Sequence, residues 1–238
     1  MSGEHDFALN PTPVASLHLI GREQEPVMVL DGVMRRPEAL VDYAATEVSF
    51  APAGTLQGGY PGIRAPAPLN YVQALVKAMD PLVRRAFALG RVGLARAECN
   101  FSIVTTAPEN LRPTQRIPHV DTYDELQFAF LHYLCDARFG GTAFYRQRAT
   151  GFEAVTPERA GAYVAARDEA LGGVPADYIR GHTEDYEQIA AFEARFDRLL
   201  IYRSRLLHSG QIPPDMPRPA DPRAGRLTAN IFVAYARR

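Results

Sequence analysis

The sequence predicts an all-β core with flanking helices, an α+β fold, in a single domain over residues 1–238. Several short runs alternate apolar and polar residues, the pattern of half-buried strands. Helical periodicity is confined to stretches before and between those runs. With 47% hydrophobic residues, a chain of this length can bury a full core.

Five runs are predicted to be strands: residues 98–104, 126–134, 142–145, 199–202 and 226–233. Alternation in the second run places His132 and Tyr133 on opposite faces. Gly140 and Gly141 precede the third run, so we expect a turn that joins it to the second run as an antiparallel hairpin.

The last of these runs carries a cation on one face. By alternation, Arg226, Thr228 and Asn230 share that face. A guanidinium that a strand carries inward needs an anionic partner, because an unpaired buried charge is costly. We therefore expect an anion to bind inside this strand.

Helices are predicted on both sides of the strands. Residues 36–45 and 70–89 show apolar stripes at helical spacing, and these N-terminal helices, within about 36–89, are expected to support the outside of the sheet. A helical insertion is predicted over about 156–197, with helices at 156–170 and 183–195 and with His182 at the second helix start. This insertion would cover a functional site or mediate contacts in a homodimer.

Residues 58–66 are rich in glycine and proline and are predicted to form a surface loop dense in turns. The alternative is that Tyr60 or Arg64 contacts substrate from a loop folded over the site.

Composition argues against several classes of partner. The net charge is −1 and no run of basic residues occurs, so the sequence does not predict a nucleic-acid-binding surface. The first residues lack a targeting pattern and no apolar run reaches the length of a membrane span, so we expect a cytoplasmic protein that does not bind membranes. Cys99 and Cys135 are expected to be buried thiols, in keeping with a reducing compartment.

The most informative motif is His119-Val120-Asp121, which is joined later in the chain by His208 in Leu-Leu-His-Ser-Gly. Two imidazoles and one carboxylate are the ligand set of a facial iron(II) site, which leaves positions open for an organic co-substrate and O2. A short motif is weak alone, and the alternative is a loop histidine and an unrelated strand-end histidine. His132 is the nearest rival ligand, but alternation places it on the outer face.

The order of motifs resembles that of the 2-oxoglutarate/Fe(II) dioxygenases, in the branch similar to prolyl 4-hydroxylases. The motifs are His-x-Asp, a strand ending Tyr-Leu, Gly-Gly-x-x-Phe, Leu-His-Ser-Gly and Arg-x-Thr. The resemblance is specific over residues 98–146 and 198–234, looser over 26–32, and greatest to a poorly characterised bacterial group. It implies a double-stranded β-helix, the jelly-roll or cupin-like fold, with iron at one mouth and a first strand at residues 26–32.

The resemblance also implies site roles. His119, Asp121 and His208 match the iron ligands. Arg226 matches the residue that pairs with the distal carboxylate of 2-oxoglutarate, a pairing that a guanidinium makes bidentately. Thr228 and Tyr133 match residues whose hydroxyls assist the binding of that carboxylate.

The spacing departs from the family pattern at one place. The stretch from His208 to Arg226 is unusually long and proline-rich, so Arg218, Arg223 or Arg205 remains an alternative partner for the anion. Arg226 is favoured because it alone begins a clear strand.

The implied reaction uses Fe(II), 2-oxoglutarate and O2 to hydroxylate a C–H bond, with release of succinate and CO2. The implied substrate is a peptide or protein side chain, or a small metabolite. Two alternatives remain: a hydrolytic cupin-like site with zinc or manganese, and a non-catalytic module that binds metal or a peptide. An inward-facing Arg226 argues against both, since a cation suits an anionic co-substrate.

Overall fold

The computed structural model describes residues 5–53 and 59–238. Its α-helices are α1 (Glu38–Thr46), α2 (Leu69–Ala86) and α3 (Ala160–Ala170). Its strands are β1 (Val14–Ile20), β2 (Glu25–Asp31), β3 (Ala51–Pro52), β4 (Gly62–Pro66), β5 (Val92–Val104), β6 (Gln127–Tyr133), β7 (Gly141–Gln147), β8 (Tyr186–Glu193), β9 (Arg198–Arg203), β10 (His208–Gln211) and β11 (Leu227–Arg237). No described helix is both long and apolar enough to cross a membrane.

The strands form two antiparallel sheets. The larger has eight strands in the order β1-β2-β9-β6-β11-β5-β4-β3, and the smaller has three in the order β10-β7-β8. Within them the pairs are nested. β5 pairs with β11, the His119 segment with β10 through the bridge to His208, β6 with β9, and β7 with β8. The first strand of this series pairs with the last, and successive pairs alternate between the two sheets. This topology is the jelly roll that the resemblance implied.

Two apolar layers follow from the alternation in the central strands. Phe128 and Phe130 of β6 pack with residues of α1 and α2 outside the larger sheet. Ala129 and Tyr133 of the same strand lie in the second layer, between the two sheets. The predicted alternation over residues 126–134 is therefore confirmed. The N-terminal helices lie on the outside of the sheet, as expected.

His132 belongs to the outer layer and is fully buried there. The Tyr71 hydroxyl of α2 lies 2.8 Å from its Nδ1. Asp197 Oδ1, before β9, lies 2.9 Å from its Nε2. With both ring nitrogens engaged on the face away from the smaller sheet, His132 ties helix to sheet and is not a rival metal ligand.

The predicted hairpin between residues 126–134 and 142–145 is wrong, although both runs are strands. β7 lies in the smaller sheet between β10 and β8. A 3-10 turn at Ala137–Phe139 and Gly140, with φ +78°, carry the chain from one sheet to the other. A side chain at Gly140 would overlap the carbonyl oxygen of Gln211, so only glycine fits this crossing.

The helix predicted over residues 183–195 is also wrong, because this segment forms β8. Its pairing with β7 from Gly141 to Gln147 overrides the local helical pattern. His182 is therefore not at a helix start; its Nδ1 accepts a hydrogen bond from the Gln188 N–H at 3.2 Å. The first part of the predicted insertion does contain α3.

The glycine-rich segment differs from prediction as well. Residues 62–66 are strand β4, paired with β5, and not a loop. Residue 58 lies outside the described residues. β1 and β3 had no counterpart among the predicted strands, whereas residues 26–32 correspond to β2.

Candidate metal centre

The two segments of the His-x-Asp and Leu-His-Ser-Gly motifs are held together by backbone hydrogen bonds. His119 N–H donates to the His208 carbonyl at 2.9 Å, and His208 N–H donates to the His119 carbonyl at 3.0 Å. Asp121 N–H donates to the carbonyl of Ser204, just after β9, at 2.9 Å. The three predicted ligands therefore lie on one rim of the barrel, fixed by the smaller sheet.

Their side chains converge. Asp121 Oδ1 lies 3.7 Å from His119 Nε2, and its Oδ2 lies 3.7 Å from His208 Nε2. One ligand atom from each residue lies within 4.8 Å of the others. A separation of 3.7 Å is too long for a hydrogen bond, so the three groups do not satisfy one another.

His208 is oriented by its own backbone. Its Nδ1 lies 2.8 Å from the Leu206 carbonyl oxygen. A carbonyl only accepts, so Nδ1 carries the proton and Nε2 keeps its lone pair toward Asp121. The Tyr202 ring packs against the imidazole, with ring centroids 5.0 Å apart. This is the arrangement expected of a histidine that binds a metal through Nε2.

The local environment keeps both imidazoles neutral. Burial lowers the pKa of His208, whose side chain is 8% exposed, to about 4. Desolvation, and then neighbouring His208, lower the pKa of His119, although 52% of that side chain is exposed. Burial raises the pKa of the Asp121 carboxyl, opposed by His119 and Arg64. Neutral imidazoles are the form that coordinates a metal.

The donor set fits a divalent transition metal. Two nitrogens and one oxygen, without sulfur, suit iron, manganese, cobalt, nickel or zinc. Adjacent ligands of such an ion lie roughly 3 Å apart, given bonds of about 2.1 Å. The observed 3.7 Å separations need only a small inward movement of the side chains to meet that spacing.

Arg226 lies directly before β11 and is 4% exposed. Its Nε donates to the Phe139 carbonyl and its Nη2 to the Gly141 carbonyl, both at 3.0 Å. No carboxylate among the described residues pairs with it; its charged or ionisable neighbours are Tyr60, Tyr133 and Cys135. Arg226 is thus a buried cation without a counter-ion.

This cation lies against the strand that carries His208. A Cβ built on Gly210, two residues after His208 in β10, would lie 3.9 Å from Arg226 Nη2. Two residues of a strand span about 6.6 Å. The guanidinium and the candidate metal ligands therefore lie close together between the sheets.

Tyr133 and Thr228 lie beside Arg226, as predicted. They are directly opposite each other on β6 and β11, and both are fully buried. The Arg226 guanidinium lies 5.7 Å from the centroid of the Tyr133 ring. The Tyr133 hydroxyl is 2.6 Å from Thr142 Oγ1, and either oxygen can be the donor. If Thr142 donates, the Tyr133 proton is free for an anion.

The alternative arginines are engaged elsewhere. Arg205 pairs with Glu25 at 3.2 Å, and exposed Arg223 pairs with Asp42 at 2.8 Å. Arg218 donates to the carbonyls of Pro213 and Pro214. Of the four candidates, Arg226 is the buried one beside Tyr133 and Thr228.

The sequence favoured a surface loop for the segment with Tyr60, with substrate contact by Tyr60 or Arg64 as the alternative, and it did not identify Thr142. The Tyr60 hydroxyl is buried without a hydrogen-bond partner. Burial raises the pKa of this phenol, while Arg226, Arg64 and the Thr228 hydroxyl act to lower it, so Tyr60 reaches the same cavity. No local pattern marks Tyr60, since only the pairing of β4 with β5 brings it there.

The fold and site together define a jelly-roll protein with a candidate 2-His-1-carboxylate centre beside a buried cationic pocket. The chain belongs to a family of unknown function, DUF6445, whose model matches residues 11–233. Comparison with curated proteins gives no match.

Several solved structures are similar to this chain at low sequence identity. The alpha-ketoglutarate-dependent epimerase SnoN of nogalamycin biosynthesis is 10% identical at a TM-score of 0.48, over 90% of this chain and 79% of SnoN. HygX of Streptomyces hygroscopicus, solved with nickel, 2-oxoglutarate and hygromycin B, is 15% identical at a TM-score of 0.46, over 90% of this chain and 87% of HygX. An N-substituted L-amino acid dioxygenase of Burkholderia ambifaria is 13% identical at a TM-score of 0.40, over 94% of this chain and 93% of the dioxygenase. The nested strand order, not this likeness, defines the fold.

Proposed function

We propose that this protein is a non-haem Fe(II)- and 2-oxoglutarate-dependent dioxygenase that hydroxylates a C–H bond. The balanced reaction converts substrate R–H, 2-oxoglutarate and O2 into R–OH, succinate and CO2. The substrate is a peptide or protein side chain, as in the prolyl 4-hydroxylase-like branch, or a small metabolite.

The observation that carries the proposal is the pairing of two features in one cavity. His119, Asp121 and His208 offer three ligands from one side. Arg226, buried nearby, has no carboxylate partner among the described residues. A hydrolytic zinc site gives no reason to bury an unpaired guanidinium, whereas a dicarboxylate co-substrate supplies its counter-ion.

Each residue then has a definite task. His119, Asp121 and His208 would hold the metal, with Nε2 of His208 presented by the Nδ1–H bond to Leu206. Arg226 would bind the distal carboxylate of 2-oxoglutarate.

Tyr133 and Thr228 would add hydroxyl contacts to that carboxylate, and Tyr202 and Phe144 would exclude water around His208. When bound, Fe(II), 2-oxoglutarate and O2 supply the oxidising chemistry. No side chain is assigned a proton-transfer step.

The test is an anaerobic titration of Fe(II) into the protein with and without 2-oxoglutarate, followed by visible absorption for the charge-transfer band of a chelated keto acid. We expect a saturable band in the wild type and none in Asp121→Ala. In Arg226→Lys the half-saturating 2-oxoglutarate concentration should rise at least tenfold, because a point charge replaces a bidentate donor.

Arg96→Gln is the matched control, since Arg96 is exposed and pairs only with Glu98. It should titrate as the wild type does. A folded, metal-binding protein without a band would contradict the proposal and favour the hydrolytic or binding alternatives. A band without succinate for any substrate tested would favour the binding module.

A further inference from the structure

Arg64 lies on the inner face of the larger sheet. In the antiparallel ladders it is directly opposite Ser102 of β5, and Ser102 is directly opposite Thr228 of β11. Directly opposed residues project to the same face. Arg64 therefore shares the row of Thr228 and Tyr133, although a surface loop was predicted here.

The guanidinium of Arg64 is a second cation without a counter-ion. Its Nε is buried and has no hydrogen-bond partner. Its CZ lies 4.9 Å from the centroid of the Tyr60 ring, which fixes the side chain by stacking. No described carboxylate forms an ion pair with it, in contrast to Arg205 with Glu25.

The two unpaired arginines act on different groups, although both lie near Tyr60. The ionisable neighbours of Arg226 include Tyr60, Tyr133 and Cys135. Arg64 instead acts electrostatically on His119 and Asp121, where the rim is open. The second cation therefore acts on two of the candidate metal ligands, of which His119 is 52% exposed.

Two buried hydroxyls accompany Arg64. One is Ser102 Oγ, directly opposite Arg64, and the other is the hydroxyl of Tyr60, whose ring stacks on the guanidinium and which also lies near Arg226; both lack hydrogen-bond partners. A row with one cation and two free hydroxyls can hold an oxyanion through several donors. Buried polar groups of this kind are rare unless a ligand satisfies them.

We propose that Arg64 binds a carboxylate of the substrate, with the Tyr60 and Ser102 hydroxyls as further donors, so that the enzyme acts on a carboxylic acid. This proposal rests on the proposed function and narrows its substrate class. A carboxylate fits better than a phosphate dianion, because Arg64 lies near enough to Asp121 to lower the pKa of that carboxyl, and Asp121 would repel a second negative charge on the ligand. Arg64 is a specificity residue and the reacting C–H bond lies close to the bound acid.

The test uses matched acid and amide probes. N-acetyl-L-amino acids of the common side chains, and the same compounds as carboxamides, are titrated anaerobically into the Fe(II)–2-oxoglutarate protein. The readouts are a shift of the visible band and the change in Tm. A third probe, N-acetyl-O-phosphoserine amide, presents phosphate without a carboxylate.

We expect at least one acid to shift the band saturably and its amide to bind at least tenfold more weakly. Arg64→Gln should abolish this preference, and Arg64→Lys should restore part of it. Both variants should keep the half-saturating 2-oxoglutarate concentration within about twofold of the wild type. The control variant Arg96→Gln, which replaces an exposed arginine of β5, should bind the probes as the wild type does.

Each other outcome overturns the inference. Equal binding of acid and amide, or no response to any acid, removes the carboxylate preference. Binding of the phosphoserine probe alone assigns the site to phosphate. A tenfold loss of 2-oxoglutarate affinity in Arg64→Gln assigns Arg64 to the co-substrate.

The same probes are also measured by Tm on the Zn(II) protein without 2-oxoglutarate. This separates the two proposals. An acid preference that depends on Arg64 and persists there stands even if the wild type shows no charge-transfer band. Loss of the band alone counts against the dioxygenase.

Discussion

Replacing Arg226 with methionine should cost the metal-free protein little stability, and far less than the same change at Arg146. Both arginines are buried in the jelly roll. Arg146 pairs with Glu153 and, at 2.7 Å, with Glu187. Arg226 donates to two backbone carbonyls and forms no ion pair with a carboxylate of the described residues.

The magnitudes follow from what each change leaves behind. Arg146→Met leaves the fully buried Glu153 without its cation, a loss of about 3–5 kcal/mol. Arg226→Met removes two hydrogen bonds from a charged donor, about 1.5–3 kcal/mol each. It also relieves the several kcal/mol that desolvation of an unpaired cation costs. We expect these effects largely to cancel, for a net change of about 1 kcal/mol.

The assay is urea unfolding followed by circular dichroism, with EDTA present and 2-oxoglutarate absent. Midpoints and slopes of both variants are compared with the wild type. The discriminating quantity is the difference between the two losses. If Arg226→Met is as destabilising as Arg146→Met, then Arg226 is compensated inside the protein. The reasoning that it awaits an anion would then be refuted.

Three further predictions concern stability and metal binding. His208 has a folded pKa of about 4 against 6.5 unfolded. The free energy of unfolding of the metal-free protein should therefore fall by up to about 3 kcal/mol as pH falls from about 6.5 to 4. The raised pKa of Asp121 opposes part of this loss. A urea midpoint that does not change over that pH range would contradict the prediction. Gly140→Ala should prevent folding or destabilise the protein by several kcal/mol, since the new Cβ would overlap a carbonyl of β10. Gly151 also has a positive φ, +74°, but has open space around it, so Gly151→Ala should destabilise the protein by about 1–2 kcal/mol. Equal losses of Tm in the two variants would refute the steric explanation. His132→Gln should lower Tm by disrupting its buried network yet leave Fe(II) affinity unchanged, and a loss of metal binding by the folded variant would restore His132 as a ligand.

Local pattern was sufficient for much of the fold. The alternation in residues 126–134 placed Phe128 and Tyr133 in different layers because successive side chains of any strand point to opposite faces. Pattern failed where pairing was non-local. Residues 183–195 have a helical pattern, yet residues 186–193 pair with the edge of β7 and form β8.

The sequence by itself determined the chemistry of the candidate centre. His119, Asp121 and His208 were identified because ligand type and order are local properties of the chain. Arg226, Tyr133 and Thr228 were predicted from their motif positions, through the resemblance to the 2-oxoglutarate/Fe(II) dioxygenases. The structure brings His119, Asp121 and His208 within reach of one another and places Tyr133 beside Arg226 and Thr228.

Only the tertiary structure decided what surrounds that centre. Arg64 and Tyr60 lie in a glycine- and proline-rich segment without a local functional signal, and they reach the cavity through the register of β4 on β5. The missing counter-ions of Arg64 and Arg226 are likewise invisible in the sequence. The physical reason is that burial, register and charge pairing depend on residues far apart in the chain, which only the folded sheets bring together.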